Sequence, residues 1–579
     1  MSREIWKARK KDEEKARELA RELPILPLTA SLILNRGIED ISEAKKFLFP
    51  KLSYLNDPFQ LEEMELAVAR LREAIIEKEP IFLQGDYDVD GICATALLAK
   101  ILVSLGGRVF CYIPNRQREG HGISDYAVKK AIELRAGLFV TVDCGSSSHA
   151  QVEKLNGNGI DVIITDHHEM PERPSALALV NPKFSDSYPF QALAGVGVAF
   201  KVGQALISSF GKSLGPLYEK LDLVALGTIA DLASLLGENR ILVKFGLEKL
   251  GTIPSNGLDM LKKFTGLNGY VDSHKVSFIL APRLNAPGRI SSPLKALELL
   301  LTEDNNKKEA LCRELEKMNR ERRSLETKIL MEIEEDLSSL DLERELVIVL
   351  KGENWHRGLL GLVASKLVEL YQRPVFVLSK YGDKVKGSGR SIPSFNIYKA
   401  VQEISHLLIN YGGHNSAVGV EMEEGNFYPF KEHINEIASK YLSLDELRPK
   451  QEAEAILTFQ EISFRLAQEI SLLAPFGIDN PQPLFISKDV EVKGVNSFPN
   501  GRYAVLTLQQ NGTELICLSP VKLLEGLPHR CSIIYSLDVD KDSSQPLLLL
   551  KGWSEEDNII VSEEKRPYLG QLLLWEDLF

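Results

Sequence analysis

The sequence predicts an α/β multidomain protein: a doubly wound parallel-sheet domain and a second α/β domain joined by a long helix, followed by a small β-barrel. Three observations lead there. Short apolar runs alternate with helical segments from about residue 51 to 265, the pattern of a parallel sheet with helices on its faces. A highly charged stretch without Pro or Gly, 304–338, then repeats apolar residues at helical spacing, and a new strand–helix–strand pattern starts straight after it. Beyond about residue 450, short β-like runs separated by turn residues dominate, as in a small barrel. A chain of 579 residues also exceeds the roughly 250–300 at which single cores stop growing.

In order along the chain, residues 1–50 read as a helical, charged lead-in ending at Phe49-Pro50. In the block 51–265, strands are expected at 81–83, 138–142 and 162–165, with helices at 92–105 and 124–134. The segment 266–340 contains the long helix, whose Leu311, Leu315, Met318, Leu325 and Ile329 share one face. A helix packed inside a single domain would show the same face; a connector is favoured because the α/β pattern restarts at once. The block 341–450 opens with a strand at 346–350, a helix at 358–371 and a strand at 375–378. The pattern changes at Leu447-Arg448-Pro449-Lys450. In 451–555 a helix near 463–473 precedes β-like runs at 484–486, 503–508, 515–518 and 532–536, and 556–579 is a tail.

Composition excludes some classes. The chain is 44% hydrophobic and 26% charged, normal for full cores. Its six cysteines, Cys93, Cys111, Cys144, Cys312, Cys517 and Cys531, form no CxxC pair, which points to free thiols in a reducing compartment. No apolar run reaches the roughly 18 residues of a membrane span. The first residues lack the apolar core of a signal peptide, so the cytoplasm is the expected address. A net charge of −12 argues against a uniformly basic nucleic-acid binder, but leaves room for a local basic groove.

The chemistry lies in seven positions. Asp86, Asp88 and Asp90 follow the first strand, Asp143 the second, and His167 and His168 the third; Asp231 follows the apolar stretch 223–230. Ligands of an open parallel sheet gather at the carboxyl ends of its strands, so these segment ends should converge. That much negative charge requires a cation. Alternating acids in Asp86-Tyr87-Asp88-Val89-Asp90-Gly91 supply hard oxygen ligands. A calcium loop is disfavoured because the twelfth position is Leu97 rather than a bidentate Glu. Imidazole beside carboxylate favours Mn²⁺ over Mg²⁺ alone. The ligands suffice for two divalent metal ions, Mn²⁺ or Mg²⁺, about 3.5–4 Å apart, as in phosphoryl hydrolysis. Taken singly, Asp143 or Asp231 would serve as a helix cap and the His pair as a surface turn. Their joint placement after apolar runs argues for the site.

These motifs, Gly85–Gly91, Asp143-Cys144-Gly145, Asp166-His167-His168 and Gly227-Thr228-Ile229-Ala230-Asp231, resemble in order those of the DHH phosphoesterase superfamily. Further segments are similar to its bacterial single-strand DNA exonucleases: 193–201, 282–289, 355–358, 387–390, 412–414 and 473–477 with 480–481. The resemblance covers about residues 20–540. It implies a parallel-sheet DHH domain, a DHHA1-like second domain and an OB-like barrel. The implied activity is degradation of single-stranded DNA from the 5′ end in repair and recombination. Carried over by residue, Asp88, Asp90, Asp143, His167 and Asp231 match metal ligands, with Asp143 bridging. Asp86 falls on the first motif acid, acting on the first metal or from behind it. His168 matches the histidine that touches the scissile phosphate or protonates the leaving oxygen. The chain departs from the family at 231–235, at 477–480 and at His121, and none of these removes a ligand.

The second α/β block is expected to hold substrate. Gly387-Ser388-Gly389-Arg390 is expected to expose backbone N–H groups beside a guanidinium. Gly412-Gly413-His414 lets the backbone approach a nucleotide, and His356 lies in the same block. Arg283, Asn285 and Arg289 would add phosphate contacts. In the barrel, Phe498, Tyr503, Arg502 and Lys493 are candidates for stacking and phosphate binding. Gln571-Leu572-Leu573-Leu574-Trp575 is similar to the peptide with which bacterial repair proteins dock on the sliding clamp; a tail folded back on the barrel or connector is the alternative. Expected partners are single-stranded DNA, with a single-strand DNA-binding protein, helicase or sliding clamp besides; a monomer and no membrane are expected. Two other functions stay open: a DHH phosphoesterase acting on short RNA, cyclic dinucleotides or pyrophosphate, and a non-catalytic single-strand scaffold.

Overall fold

The computed structural model describes residues 5–9, 13–252, 257–555 and 559–562, apart from 171, 339, 343, 445, 448–449, 499–500 and 541–542. The expected tail motif at 571–575 lies outside the described residues. The chain forms two compact units. One comprises 49–323 with 475–480, the other 1–48, 324–474 and 481–579.

The first unit is built on a five-stranded parallel sheet. Its strands lie in the order Arg108–Tyr112, Pro80–Gly85, Leu138–Val142, Asp161–Thr165 and Ala178–Val180. The inner strands are apolar and buried on both faces, as a sheet covered by helices on both sides demands. On one face packs the Val89–Ser104 helix, backed by Gly195–Ser209 and Leu221–Ala230. On the other lie Asp125–Glu133, whose first turn is capped by Ser124 (Ala127 N–H to Oγ, 3.0 Å), and His149–Gly157. Sequence order reverses between Pro80–Gly85 and Leu138–Val142. That reversal opens a crevice at the strands' carboxyl ends.

The stretch before Asp231 is a helix, Leu221–Ala230, so this acid arrives from a helix end and not from the sheet. The Asn305–Glu332 helix exists as expected, but its buried face differs. Leu311, Leu315 and Ile329 are buried; between Leu315 and Ile329 the buried positions are the polar Asn319, Arg322 and Glu326, while Met318 and Leu325 are half-exposed.

The second unit contains a five-stranded mixed sheet in the order Asn410–His414, Ala417–Glu423, Lys384–Arg390, Val375–Tyr381, Ile348–Glu353. It also contains a closed five-stranded barrel, in which Arg530–Asp540 pairs back to Leu484–Ser497. The lead-in, expected to be helical, begins with a strand. Ile5–Arg9 lies parallel between Lys450–Ala453 and Ile559–Ser562, with Trp6 buried against Ala453, Leu484 and Ile534. Helices Glu13–Glu22, Pro27–Leu34 and Ile41–Leu48 follow. Among the described residues no helix is long and apolar enough to cross a membrane.

Candidate functional site

All seven expected acid and imidazole positions gather at the crevice of the first unit. Asp88 is the N-cap of the Val89–Ser104 helix, its Oδ1 accepting from Gly91 N–H (3.1 Å). Gly91 is required there, since a Cβ would fall 2.5 Å from the Asp86 backbone. Asp90, in the first turn of the helix, is gripped by the Gly195 and Val196 N–H groups at 2.7 and 2.9 Å. Asp143 follows the next strand in a left-handed conformation, φ 61°, and its N–H donates to Thr165 O at 2.9 Å. Gly195 packs flush on its carboxylate, leaving no space for a side chain.

His167 Nε2 lies 3.0 Å from Asp143 Oδ1, 3.8 Å from Asp231 Oδ2 and 4.0 Å from Asp90 Oδ2. Three ligand groupings result: Asp86–Asp88–Asp143, Asp90–His167–Asp231 and Asp143–His167–His168. Asp143 belongs to two of them and abuts the third. Buried Asp86 Oδ1, Asp143 Oδ1 and His167 Nε2 have no hydrogen-bond partner. Unpartnered buried polar atoms are costly; three of them within these overlapping groups of carboxylates and imidazole fit a divalent cation.

The electrostatics agree. Burial, then Asp88, pushes Asp90 up to about 7; burial, then Asp90, pushes Asp231 up to about 8. Asp143 rises well above the carboxylate range, by burial and then by four neighbouring carboxylates. Asp86 rises likewise by burial and Asp88. Without a cation these acids resist ionisation. Burial lowers the His167 pKa to about 4, which keeps it neutral, as a ligand must be. His168 goes the other way. Its Nδ1 donates to Asp166 Oδ1 at 2.7 Å, and that bond raises it to about 9. Asp166 is itself buried, but the His168 and Ser146 N–H bonds hold it ionised. This role of Asp166 went unassigned from sequence; its place directly before the His pair was the available signal.

Around the centre, Val89 N–H donates to Asn285 Oδ1 (3.1 Å), and Gly288 sits against Tyr87 O. Asn285 thus anchors the acidic turn. Arg289 stands beside Asp88 and Tyr87; burial, then Arg116 and Arg322, lowers it to about 10. Arg116 lies 5.0 Å from the centre of the Tyr87 ring, and the Tyr87 hydroxyl meets the exposed His121 ring. Arg283 is engaged elsewhere, by Glu316 at 2.7 Å and Ile279 O at 2.6 Å. Through Nε it fastens the long helix.

Lys384–Arg390 is a central strand paired on both sides, so the N–H groups expected to cradle phosphate serve the sheet ladder instead. Gly387 and Gly389 are there for space: a Cβ would strike Val377 O or the Phe376 ring. What the strand offers is the Ser388 hydroxyl and the Arg390 guanidinium, which lies against Gly361. Register puts His414, Ala417 and Arg390 in one cross-strand row and Gly412, Gly419 and Ser388 in the next. The glycine row floors a cavity of about 370 Å³ walled by Arg357, Lys386 and Tyr411. Gly413, at φ 146°, lies on the edge strand, whose outer side is unpaired among the described residues. His356 is the N-cap of the Arg357–Tyr371 helix. In the barrel, Phe498 is exposed and Lys493 pairs with Glu491 at 2.8 Å.

Comparison with known proteins names the fold. The model of the DHH family, N-terminal domain, matches residues 80–228; those of the DHHA1 domain and the RecJ OB domain match 345–440 and 453–544. The single-stranded-DNA-specific exonuclease RecJ of Bacillus subtilis (strain 168) is 35% identical over 99% of this chain and 73% of its own length. The chain belongs to the RecJ family. The crystal structure of RecJ in complex with Mn²⁺ from Thermus thermophilus superposes with a TM-score of 0.81 at 30% identity, covering 96% of this chain and 80% of that one. The corresponding Mg²⁺ complex gives 0.76 at 28% identity, with 96% and 79% covered. RecJ membership bears out the expected fold, a parallel-sheet DHH domain, a DHHA1 domain and an OB barrel. With these metal complexes, it makes the acidic centre a divalent-cation site, for Mn²⁺ or Mg²⁺.

Proposed function

We propose that this chain is a single-stranded-DNA exonuclease that hydrolyses phosphodiesters from the 5′ end at a two-metal centre. The carrying observation is Asp143, shared between ligand groups, its own Oδ1 being one of three buried polar atoms there that lack partners. Asp88, Asp90, Asp143, His167 and Asp231 hold the cations, and Asp86 completes the group with Asp88 and Asp143. When bound, the ions polarise the phosphate and lower the pKa of an attacking water. Gly195 and Val196 orient Asp90, and Asp166 holds His168 protonated at neutral pH. A charged imidazole suits a phosphate oxygen or the departing oxygen. Arg289 and Arg116 supply positive charge beside Asp88 and Tyr87. In the other unit Ser388, Arg390, His356, Gly412, Gly413 and His414 hold the strand, and the barrel adds a single-strand platform. Single-stranded DNA is the partner; docking on a single-strand DNA-binding protein, helicase or clamp, a monomeric state and a cytoplasmic location belong to the same reading. The intact acid and His set speaks against a non-catalytic scaffold, and the barrel against an enzyme of short nucleotides.

Digestion of 5′- and 3′-labelled oligonucleotides tests the reading. Release of labelled mononucleotide from the 5′ end in Mn²⁺ or Mg²⁺, and none in EDTA, is expected. Release from the 3′ end, or activity in EDTA, overturns it.

A further inference from the structure

Asp231 differs from Asp88 and Asp90 in how it is held. Asp88 accepts one backbone N–H and Asp90 two; among the described residues the Asp231 carboxylate accepts none, and its side chain is 26% exposed. Its direction is therefore set by its backbone. That backbone ends the Leu221–Ala230 helix in a Schellman turn: Leu232 N–H donates to Ile229 O and Ala233 N–H to Thr228 O, both at 3.2 Å. The turn needs a left-handed residue, and Leu232 (φ 58°) occupies that position without the freedom of glycine. Such strain persists only where neighbours over-determine it.

The neighbours come from far along the chain. Pro475–Asn480 belongs to the same compact unit as Asp231, although the residues on both sides of it do not. Ile478 O accepts from Leu235 N–H at 2.9 Å. Gly477 lies so close to Leu235 that a Cβ would stand 2.6 Å from Cδ1 and 3.2 Å from Cγ. The hexapeptide is closed on itself by Gly477 N–H to Asn480 O (2.9 Å) and by the buried Asn480 amide to Pro475 O (2.7 Å). Ser273 Oγ donates to Phe476 O. Asp479, at φ 59°, is a second strained non-glycine residue. On the other side, Asn239 Nδ2 donates to Ser234 O at 3.0 Å.

We propose that Pro475–Asn480 is a positioning clip for Asp231: it fixes the far end of the 231–235 turn, and through the strained Leu232 it aims the carboxylate at the metal centre. The proposal rests on the assignment of Asp231 as a metal ligand. No residue of the clip touches the ions; it acts through Leu235. The clip makes metal affinity depend on a segment about 240 residues away in sequence, an outer support of the kind whose loss costs ~10–100-fold in metal affinity.

The test is calorimetric titration of the metal-free full-length chain with Mn²⁺. Gly477→Ala is expected to weaken binding by about tenfold, with a melting temperature in EDTA close to that of the wild type and kcat restored by excess Mn²⁺. Adding Leu235→Ala, which makes room for the new methyl, should recover most of the affinity. Ser273→Ala should give a smaller loss in the same direction, and it carries the test if Gly477→Ala does not fold. Folded Gly477→Ala or Ser273→Ala protein with wild-type Mn²⁺ affinity overturns the clip; so does a loss that tracks the melting temperature and is not recovered in the double variant. Asp231→Ala separates the two ideas. If it binds Mn²⁺ normally, the ligand assignment itself fails; if it binds weakly while Gly477→Ala is normal, only the clip fails.

Discussion

Asp143 combines two unfavourable features that the fold holds in place. A left-handed φ of 61° costs a residue with a Cβ about 1–3 kcal/mol, and its carboxylate is buried among four others. The carboxylate burial is unfavourable in the absence of metal and is removed by Ala, whereas the left-handed φ stays, since Ala keeps the Cβ. The Thr165 carbonyl and the flush Gly195 keep it there regardless. Asp143→Ala is therefore expected to melt in EDTA at or above the wild-type temperature. Its exonuclease rate in saturating Mn²⁺ should fall at least about a hundredfold, roughly 2.7 kcal/mol of barrier. Initial rates on a labelled oligonucleotide and thermal melts check both halves. Retention of more than a tenth of the rate would be too small an effect for a shared ligand.

Among the elements, the Lys384–Arg390 strand shows how glycine misleads. Read as sequence, Gly387-Ser388-Gly389-Arg390 looks like an open phosphate loop; in the sheet it is a central strand whose glycines avoid Val377 O and Phe376. In the cross-strand row of His414, Ala417 and Arg390, the proposed substrate contact falls to the side chains. Arg390→Ala and His414→Ala are expected to raise KM by about tenfold with Mn²⁺ affinity unchanged, as steady-state kinetics and metal titration would show; loss of metal with normal DNA binding would refute that assignment. The acidic turn, Asp143 and the His pair were legible because each follows a short strand in the same local pattern. The Leu221–Ala230 helix was not, because nearly all its residues are buried and a helix apolar all round shows no period. Asn319, Arg322 and Glu326 hid the connector's buried face for the opposite reason: Glu326 is satisfied by Lys366 at 3.3 Å, a partner that local sequence cannot reveal. The Ile5–Arg9 strand was out of reach as well, its partners lying more than 400 residues away.

At the scale of the molecule, the metal centre ties stability to pH. Asp90 and Asp231 titrate at about 7 and about 8 in the fold, against about 3.9 for a free Asp. His168 titrates at about 9. His167, lowered to about 4, is mostly neutral in both states above pH 6.5. Between pH 6.5 and 8.5 the metal-free native state thus binds more protons than the unfolded chain, and its stability falls as pH rises. In EDTA the melting temperature is expected to drop across that window; saturating Mn²⁺, which favours the ionised acids, should flatten or reverse the slope. A metal-free melting temperature that rises with pH would contradict these shifts. The barrel unit has its own anchor. Trp6→Ala should cost about 3–5 kcal/mol in that unit, seen as an earlier melting transition, with Mn²⁺ affinity unchanged.

The position of that first strand also sets a timetable. Arg9 pairs with Glu452, 443 residues further on, and the neighbouring strand on its other side ends at Ser562. At about 5–20 residues per second on the ribosome, Ile5–Arg9 waits roughly 20–90 s for its first neighbour and longer for its second. Pro475–Asn480, which completes the metal-bearing unit, is made in the same late interval. Both units are therefore finished only by residues beyond 474. A ribosome that stalls before that point releases a chain with an unpaired strand, an uncovered tryptophan and an unclipped Asp231, so truncated products should be handled by the cell as unfolded protein rather than accumulate as uncontrolled nuclease.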